Sequence, residues 1–376
     1  MKSAPRQLQH DERIAWLRLA RTPNIGPATF AALLRECGGI HEALEAAPIL
    51  ARRGGKQLKI SSAEIAEREL DAVNKRHGRI VAVGEPEYPT ALAAIDPPPP
   101  IITVLGSTDA LTNMIEREAI AIVGARNASA LGIKFAQTIS TDLCSAGFLI
   151  ASGMARGVDR AAHEAALASG TIAVVAGGAD IVYPPENQAL YDEILERGAI
   201  ISEMPLGTRP QARHFLRRNR IISGLSRGVV VVEAAERSGS FITAGYALEQ
   251  GREVFAVPGS PLDPRAKGSN RLLKEGASLA TSAEDVLAAL QPMLNGAYLA
   301  EDKCEAPPAA PIGGLSGIAD GSVRELVEEK LSASPVEIDE LVRQIGALAP
   351  IVLSILLELE LAQRLQRHPG ARVSWC

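Results

Sequence analysis

The chain has 376 residues, a net charge of −5, 47% hydrophobic and 22% charged residues, which exceeds one ordinary core and fits a folded globular protein of two or three domains. An acidic balance excludes a surface that is cationic throughout, so any polyanion site must be a local patch. The cysteines at 37, 144, 304 and 376 form no CxxC pair, the start MKSAPRQLQHDER has no apolar signal core, and no apolar run approaches the roughly 20 residues of a membrane helix. The expectation is a reduced, cytoplasmic chain without a membrane span.

Residues 1–80 read as a small helical domain. RIAWLRLA, ATFAALLREC, IHEALEAA and SAEIAERELDAVNKR each carry apolar residues at helical spacing. Asn24-Ile25-Gly26-Pro27 joins the first two, with Asn and Gly suited to left-handed backbone and Pro27 to a first helical turn. This resembles a helix-hairpin-helix or SAM-like domain, although Asn24 stands where such hairpins carry a first glycine. The segment holds 14 Lys and Arg against 9 Asp and Glu, and Arg52-Arg53-Gly54-Gly55-Lys56 is its most cationic loop. An auxiliary DNA contact and a plain solvated loop are both compatible with that charge.

At residue 81 the character changes. The four prolines Pro97 to Pro100 exclude helix and central strand, so residues 81–118 are expected to form an extended lead-in and domain junction, with a short strand from Ile101 to Leu105. From Ala119 the pattern is strand, loop, helix, repeated, with strands at 119–124, 147–153, 171–178, 199–204, 229–234 and 253–259. Short, continuous, β-branched strands alternating with amphipathic helices imply a mostly parallel sheet covered on both faces. The expected fold of residues 81–290 is a Rossmann-like doubly wound α/β domain.

Ligands of such sheets bind beyond the carboxyl ends of the strands. There stand Gly124-Ala125-Arg126, the run Ser152-Gly153-Met154-Ala155-Arg156-Gly157-Val158-Asp159, Gly177 to Asp180, Glu203, and Glu233 with Ser238-Gly239-Ser240. Glycine loops that open helices present free amides and a positive dipole end to phosphate. Beside them Arg209, Arg213, Arg217, Arg218, Arg220 and Arg227 follow one another with no acid between Arg209 and Arg227. Together they form a candidate polyanion site on one edge of the sheet, with Arg126 and Arg156 next to it.

No GxGxxG follows the first strand and no GxxxxGK[ST] occurs, so the dinucleotide and P-loop fingerprints are absent. His163-Glu164 begins like a zinc motif, but Leu167 occupies the second ligand position, and His163 reads as a packed or capping residue. Glu233 can be read as a catalytic acid or as an arginine partner. The motifs SGMARGVDRAAHEAAL, GGADIVYPPEN, ISEMPLG, FLRRNRIISGLSRGVVVVEAAERSGSFITAGYALEQGREVFAVPG and KGSNRLLKEGA closely resemble the DNA processing protein A family (DprA, also called Smf), in order across about 180 residues.

That resemblance implies a non-catalytic protein without cofactor that binds single-stranded DNA, dimerises through its Rossmann-like domain and loads the RecA recombinase during natural transformation. It places Arg126 of the GAR loop, Ser152-Gly153, Arg217-Arg218-Asn219-Arg220, Ser238 to Ser240 and Lys267 to Asn270 along the DNA groove. Gly124 and Arg156 complete the candidate set. Many relatives have Ser where this chain has Ala125, so one hydroxyl contact is in doubt. The alternative is a nucleotide-binding phosphoribohydrolase-like enzyme on the same fold. Its PGGxGTxxE loop has no match here, since the corresponding stretch Glu233 to Thr243 lacks the double glycine and the following Glu.

Aromatics in residues 119–290 are limited to Phe135, Phe148, Tyr183, Tyr191, Phe215, Phe241, Tyr246 and Phe255. Stacking platforms are expected to be scarce, and phosphate contact to dominate. Residues 291–321 read as a linker rich in Ala, Pro and Gly. Residues 322–376 read as three helices and a hairpin, a winged-helix-like domain. Its third helix, LSILLELEL, is apolar and acidic where a DNA-reading helix needs Arg, Asn or Gln. With 6 Lys and Arg against 8 Asp and Glu, this domain is expected to contact protein, either its own Rossmann-like domain or a partner.

Overall fold

The computed structural model describes residues 6–236, 238–294, 321–368 and 370–376. In chain order the helical start comprises α1 (His10–Ala20), α2 (Pro27–Cys37), α3 (Ile40–Arg53) and α4 (Ala63–Asn74). Next come β1 (Arg79–Ala82), α5 (Thr90–Ala93), β2 (Ile101–Gly106), α6 (Thr108–Glu116), β3 (Ala119–Val123), α7 (Ala130–Ser145), β4 (Leu149–Ser152) and α8 (Val158–Ala166). The middle continues with β5 (Thr171–Val174), α9 (Gln188–Arg197), β6 (Ala199–Ser202), α10 (Ala212–Leu225), β7 (Ser226–Val231), α11 (Gly239–Glu249) and β8 (Glu253–Ala256). It closes with α12 (Lys267–Lys274), β9 (Ser278–Leu279) and α13 (Ala283–Leu294). The last segment holds α14 (Gly321–Lys330), β10 (Val336–Glu337), α15 (Ile338–Ile345), α16 (Ala349–Leu361), β11 (Leu365–His368) and β12 (Arg372–Trp375).

These elements divide into two compact units, one of residues 6–8 and 67–294 and one of residues 9–66 and 321–376. The first is built on a nine-stranded sheet of order β1-β2-β6-β5-β4-β3-β7-β8-β9. From β6 to β9 every pairing is parallel. Successive residues of its central strands feed opposite layers: Val229 and Val231 pack toward α10 and α11, while Val230 and Val232 pack toward α7 and α13. Burial on both faces is why these strands are continuous apolar runs. The chain leaves β3 toward β4, β5 and β6, then returns to β7 on the other side of β3. The topological switch point, where such sheets open a crevice, therefore lies between the carboxyl ends of β3 and β7.

The lead-in is not a junction. β1 pairs antiparallel with β2, and β2 pairs antiparallel with β6, so this segment extends the sheet. The proline run is fastened to the unit at its flanks: Tyr88 donates to the Pro99 carbonyl (2.8 Å) and Arg220 to the Pro97 carbonyl (3.0 Å). At the other end, α13 continues to Leu294, and the rest of the expected linker, with Cys304, lies outside the described residues. Among the described residues no helix is long and apolar enough to cross a membrane.

The second unit joins the two ends of the chain. In the hairpin between α1 and α2, Asn24 takes φ +69°, the left-handed backbone that a glycine usually supplies. α3 runs through Pro48 to Arg53, longer than expected, because its buried stripe Leu44, Ala47, Leu50 and Ala51 continues past the proline. At the C-terminal end α14, α15 and α16 pack with a three-stranded sheet, β10-β12-β11, as a winged helix.

α16 is buried on two sides. Val352, Ile355, Leu356 and Leu359 belong to the winged-helix core, whereas Leu357 and Leu361 enter the core of α1 to α3. A third helix that serves two cores is apolar for that reason, and the residues it leaves exposed, Ala349, Pro350 and Leu353, offer no side-chain hydrogen bond to base edges. Its acids are satisfied at the same contact. Glu358 pairs with Arg324 and lies 3.7 Å from Arg53, and Glu360 accepts from Thr29 and Arg367 at 2.8 Å each. The cationic loop after α3 is engaged too, with Gly54 against the Glu358 carbonyl and Lys56 donating to Gln363 at 3.0 Å. The contact this domain makes here is to the N-terminal helices, which the expectation did not name.

Candidate nucleic-acid interface

At the switch point the loops after β3, β4 and β7 interlock through backbone. A Cβ at Gly157 would lie 2.3 Å from the Ala125 carbonyl oxygen, and one at Gly124 would meet the Val158 side chain at 2.5 Å. Gly157 also has φ +72°, so both space and conformation demand glycine there. Ser240 donates to the Gly124 carbonyl (2.7 Å), and Ser238 caps α11 by accepting from Phe241 N–H (3.3 Å). These contacts hold Gly124, Arg126, Gly153, Ser238, Gly239 and Ser240 in one place.

Two cavities open there. One of about 430 Å³ is lined by the GAR loop, the Ser238–Ser240 turn and one face of α10, formed by Phe215, Arg218, Asn219 and Ile222. One of about 360 Å³ lies between Gly153, Ala155 and Arg156 on one wall and Tyr183 and Pro184 on the other. Arg126 and Phe215 line both. The Arg126 guanidinium stands 5.4 Å over the Phe215 ring, within cation–π range, and Tyr183 meets Phe215 edge-on at 5.7 Å. Tyr183 is 47% exposed, so this cleft does carry aromatic surface, contrary to the expectation of scarcity.

The arginine run divides by helical phase. At 100° per residue, positions 215, 218, 219 and 222 share one face, which leaves Arg217 exposed on another side of α10, outside either cavity lining. Arg218 reaches the cleft floor but is 6% exposed, and its donors go to the Gly153 and Val174 carbonyls and to Asn219 Oδ1. Asn219 in turn donates to the Gly239 carbonyl (3.1 Å). Arg220 is spent on Glu203 (2.7 Å) and the Pro97 carbonyl. Of that run, Arg218 and Asn219 reach the cleft, and they act there as struts.

Other expected groove residues also have structural duties. Ser152 is fully buried and donates to the Ile122 carbonyl (2.6 Å). Lys267 is exposed outside both cavity linings, and Asn270 bridges the Gly259 N–H and carbonyl (3.1 and 2.8 Å). Arg156 lines the smaller cavity and pairs with Glu186 (2.8 Å), both exposed. Among the described residues no carboxylate pairs with Arg126, Arg209, Arg213 or Arg217. The exposed positive charge is therefore Arg126 in the cleft and Arg209, Arg213 and Arg217 on and before α10.

Sequence reading named Phe215, Tyr183, Asp159 and Asn187 within motifs or lists but gave none of them a role in the site. Phe215 was within reach, because it lies three residues before Arg218 and so on the same helical face. Asp159 stood in the run after β4 without a role assigned to it, and Asn187 is brought to that turn from the segment after β5 only by the fold.

The buried groups beneath the cleft are electrostatically coupled. Burial raises the Asp159 carboxyl above its ordinary range, opposed by Arg218 and by backbone N–H donors, including that of Ala155. Burial pulls Arg218 down to about 10, with Asp159 acting against it. His163 is fully buried, shares a 2.7 Å hydrogen bond with Thr171 and is pushed down to about 3 by burial and by Arg218. It is a neutral packed histidine, and among the described residues no group of His, Cys, Asp or Glu could hold a metal. Glu233 accepts from Ser129 N–H and Oγ (2.9 and 2.6 Å), so it holds the residue that caps α7 rather than an arginine.

The chain matches three family profiles: a DprA-like N-terminal HHH domain at residues 10–72, DNA recombination-mediator protein A at 79–291, and a DprA winged helix domain at 306–371. It is 43% identical to the DNA processing protein DprA of Bacillus subtilis over 58% of this chain and 73% of that one. It is 39% identical to the protein Smf of Escherichia coli over 76% and 74%. A solved DprA structure from Streptococcus pneumoniae superposes with TM-score 0.60 at 33% identity, covering 75% of this chain and 98% of that one. A second, from Helicobacter pylori and described by its single-stranded DNA binding mode, gives TM-score 0.52 at 28% identity over 57% and 95%. The three profiles follow one another along the helical start, the sheet unit and the winged helix, and the chain belongs to the DprA/Smf family of DNA recombination mediators.

Proposed function

We propose that this chain binds single-stranded DNA along the carboxyl edge of its parallel sheet and hands it to RecA, as a cytoplasmic homodimer without catalytic turnover. The observation that carries this reading is the cleft around Arg126. An exposed, unpaired guanidinium there sits beside an aromatic pair and helix-opening glycine loops, with one carboxylate, the buried Asp159, in either lining. Phosphate meets cation and amide; an unstacked base meets Tyr183 and Phe215, at about 1–3 kcal/mol per stacked base. The Helicobacter pylori relative, described by its single-stranded DNA binding mode, supports the assignment. Residues 81–290 carry the DNA in this reading, and residues 1–80 and 322–376 serve protein contact. The exposed Leu248 of α11 suits a two-fold interface. The phosphoribohydrolase reading requires a Glu after Thr243, which the sequence lacks, and Glu233 itself is held by Ser129 at the start of α7.

The test is a fluorescence-anisotropy titration of labelled oligo(dT) at several salt concentrations with duplex competitor. Strand-selective binding that weakens steeply with salt is expected. Arg126→Ala is expected to lower affinity about tenfold and to flatten the slope of log K against log salt by about one phosphate contact. A variant with wild-type affinity and slope would remove Arg126 from the interface, and absence of binding by the parent chain would remove the proposal.

A further inference from the structure

The turn after β4 holds a conformation its sequence does not favour. Met154 has φ +61°, the left-handed region, yet its side chain is 1% exposed and fixed in the core. Such a residue persists only where its surroundings over-determine the backbone. Three buried side chains do so here. Arg218 donates to the Gly153 carbonyl, and Asp159, the second residue of α8, accepts from Ala155 N–H (3.2 Å). Asn187 donates through Nδ2 to the Met154 carbonyl (2.9 Å) and to that of Ala155 (3.4 Å).

Asn187 differs from the other two in where it comes from. It ends the short helical turn Pro185–Asn187, in the segment after β5 that also supplies Tyr183 and Pro184. Those two residues form one wall of the smaller cavity, and Gly153, Ala155 and Arg156 form the other. A buried amide, 1% exposed, therefore ties wall to wall beneath the exposed Arg156–Glu186 pair. Among the described residues its Oδ1 has no partner, and an unsatisfied buried acceptor works against stability. The residue is kept for its two donated bonds.

We infer that Asn187 is a positioning residue for nucleic-acid binding, a buried clamp that fixes the Arg156 turn against the Tyr183 wall so that DNA meets a preformed surface. This rests on the single-strand reading above. It touches no phosphate itself, so its loss changes affinity through geometry alone.

The experiment uses the full chain and labelled oligo(dT), with Asn187→Ala and Asn187→Ser measured beside the parent and Arg126→Ala. The serine hydroxyl can keep one donor toward the Met154 carbonyl, which provides a partial rescue and a second variant if the alanine protein does not fold by circular dichroism. Expected is a loss of about tenfold for Asn187→Ala and a smaller one for Asn187→Ser, both with the parent's salt slope. Either variant binding like the parent overturns the inference. A slope reduced by about one, as for Arg126→Ala, also overturns it, because Asn187 would then be a phosphate-linked contact. If the parent chain itself fails to bind, the single-strand reading falls first and the inference with it, whatever the variants do.

Discussion

Arg218→Met is expected to cost the folded chain about 3–5 kcal/mol, the usual penalty for removing one partner from a buried charged network. Methionine fills much of the same volume, so packing is nearly preserved and the loss is polar. The Gly153 and Val174 carbonyls and Asn219 Oδ1 each lose a donor, and the buried Asp159 loses the cation that opposes its desolvation. Arg217→Ala, one residue earlier and exposed, is expected to stay within about 0.5 kcal/mol. Urea unfolding followed by far-ultraviolet circular dichroism distinguishes the two. Equal midpoints for both variants would mean that Arg218 is a surface group and that its hydrogen bonds are dispensable.

Gly54→Ala is expected to destabilise the unit of residues 9–66 and 321–376 by about 1–3 kcal/mol, as overpacking does. The sign is the informative part. Gly54 has φ −73°, a conformation alanine adopts freely, and at such a site the substitution ordinarily stabilises by about 0.4–1 kcal/mol. Here a Cβ would stand 2.1 Å from the Glu358 carbonyl oxygen and 2.7 Å from the Ala362 Cβ. α16 must then retreat from α3, loosening Leu357 and Leu361. Hydrogen exchange in α16 is the direct readout, with faster exchange across Leu357 to Leu361 expected and oligo(dT) affinity unchanged. Slower exchange or a raised midpoint would show that the two modules do not share this helix.

Much of the fold was legible in the sequence, for a local reason. A strand covered on both faces must be apolar at every position, so AIAIV, TIAV and GVVV announce themselves without any knowledge of their neighbours. The position of the candidate cleft was legible to the same depth. Once strands alternate with helices, the crevice has to lie at their carboxyl ends, and the loops at Gly124, Gly153 and Ser238 were found there. The order of motifs was enough to assign the family.

What only the tertiary structure decided is which side chain does what. Arg217, Arg218 and Arg220 look alike in sequence. Their fates diverge because 100° of helical rotation separates neighbours, and because Glu203 and the Pro97 carbonyl, distant in the chain, claim one of them. Asn187 carries no signature, since it owes its role to the backbone turn after β4, which lies 33 residues away. The pairing of the first helices with α16, some 300 residues apart as in the bond from Thr29 to Glu360, has no local trace. Local hydrophobic pattern encodes which elements form, because burial is a property of each residue; which polar groups meet depends on distances between elements that no short stretch of chain contains.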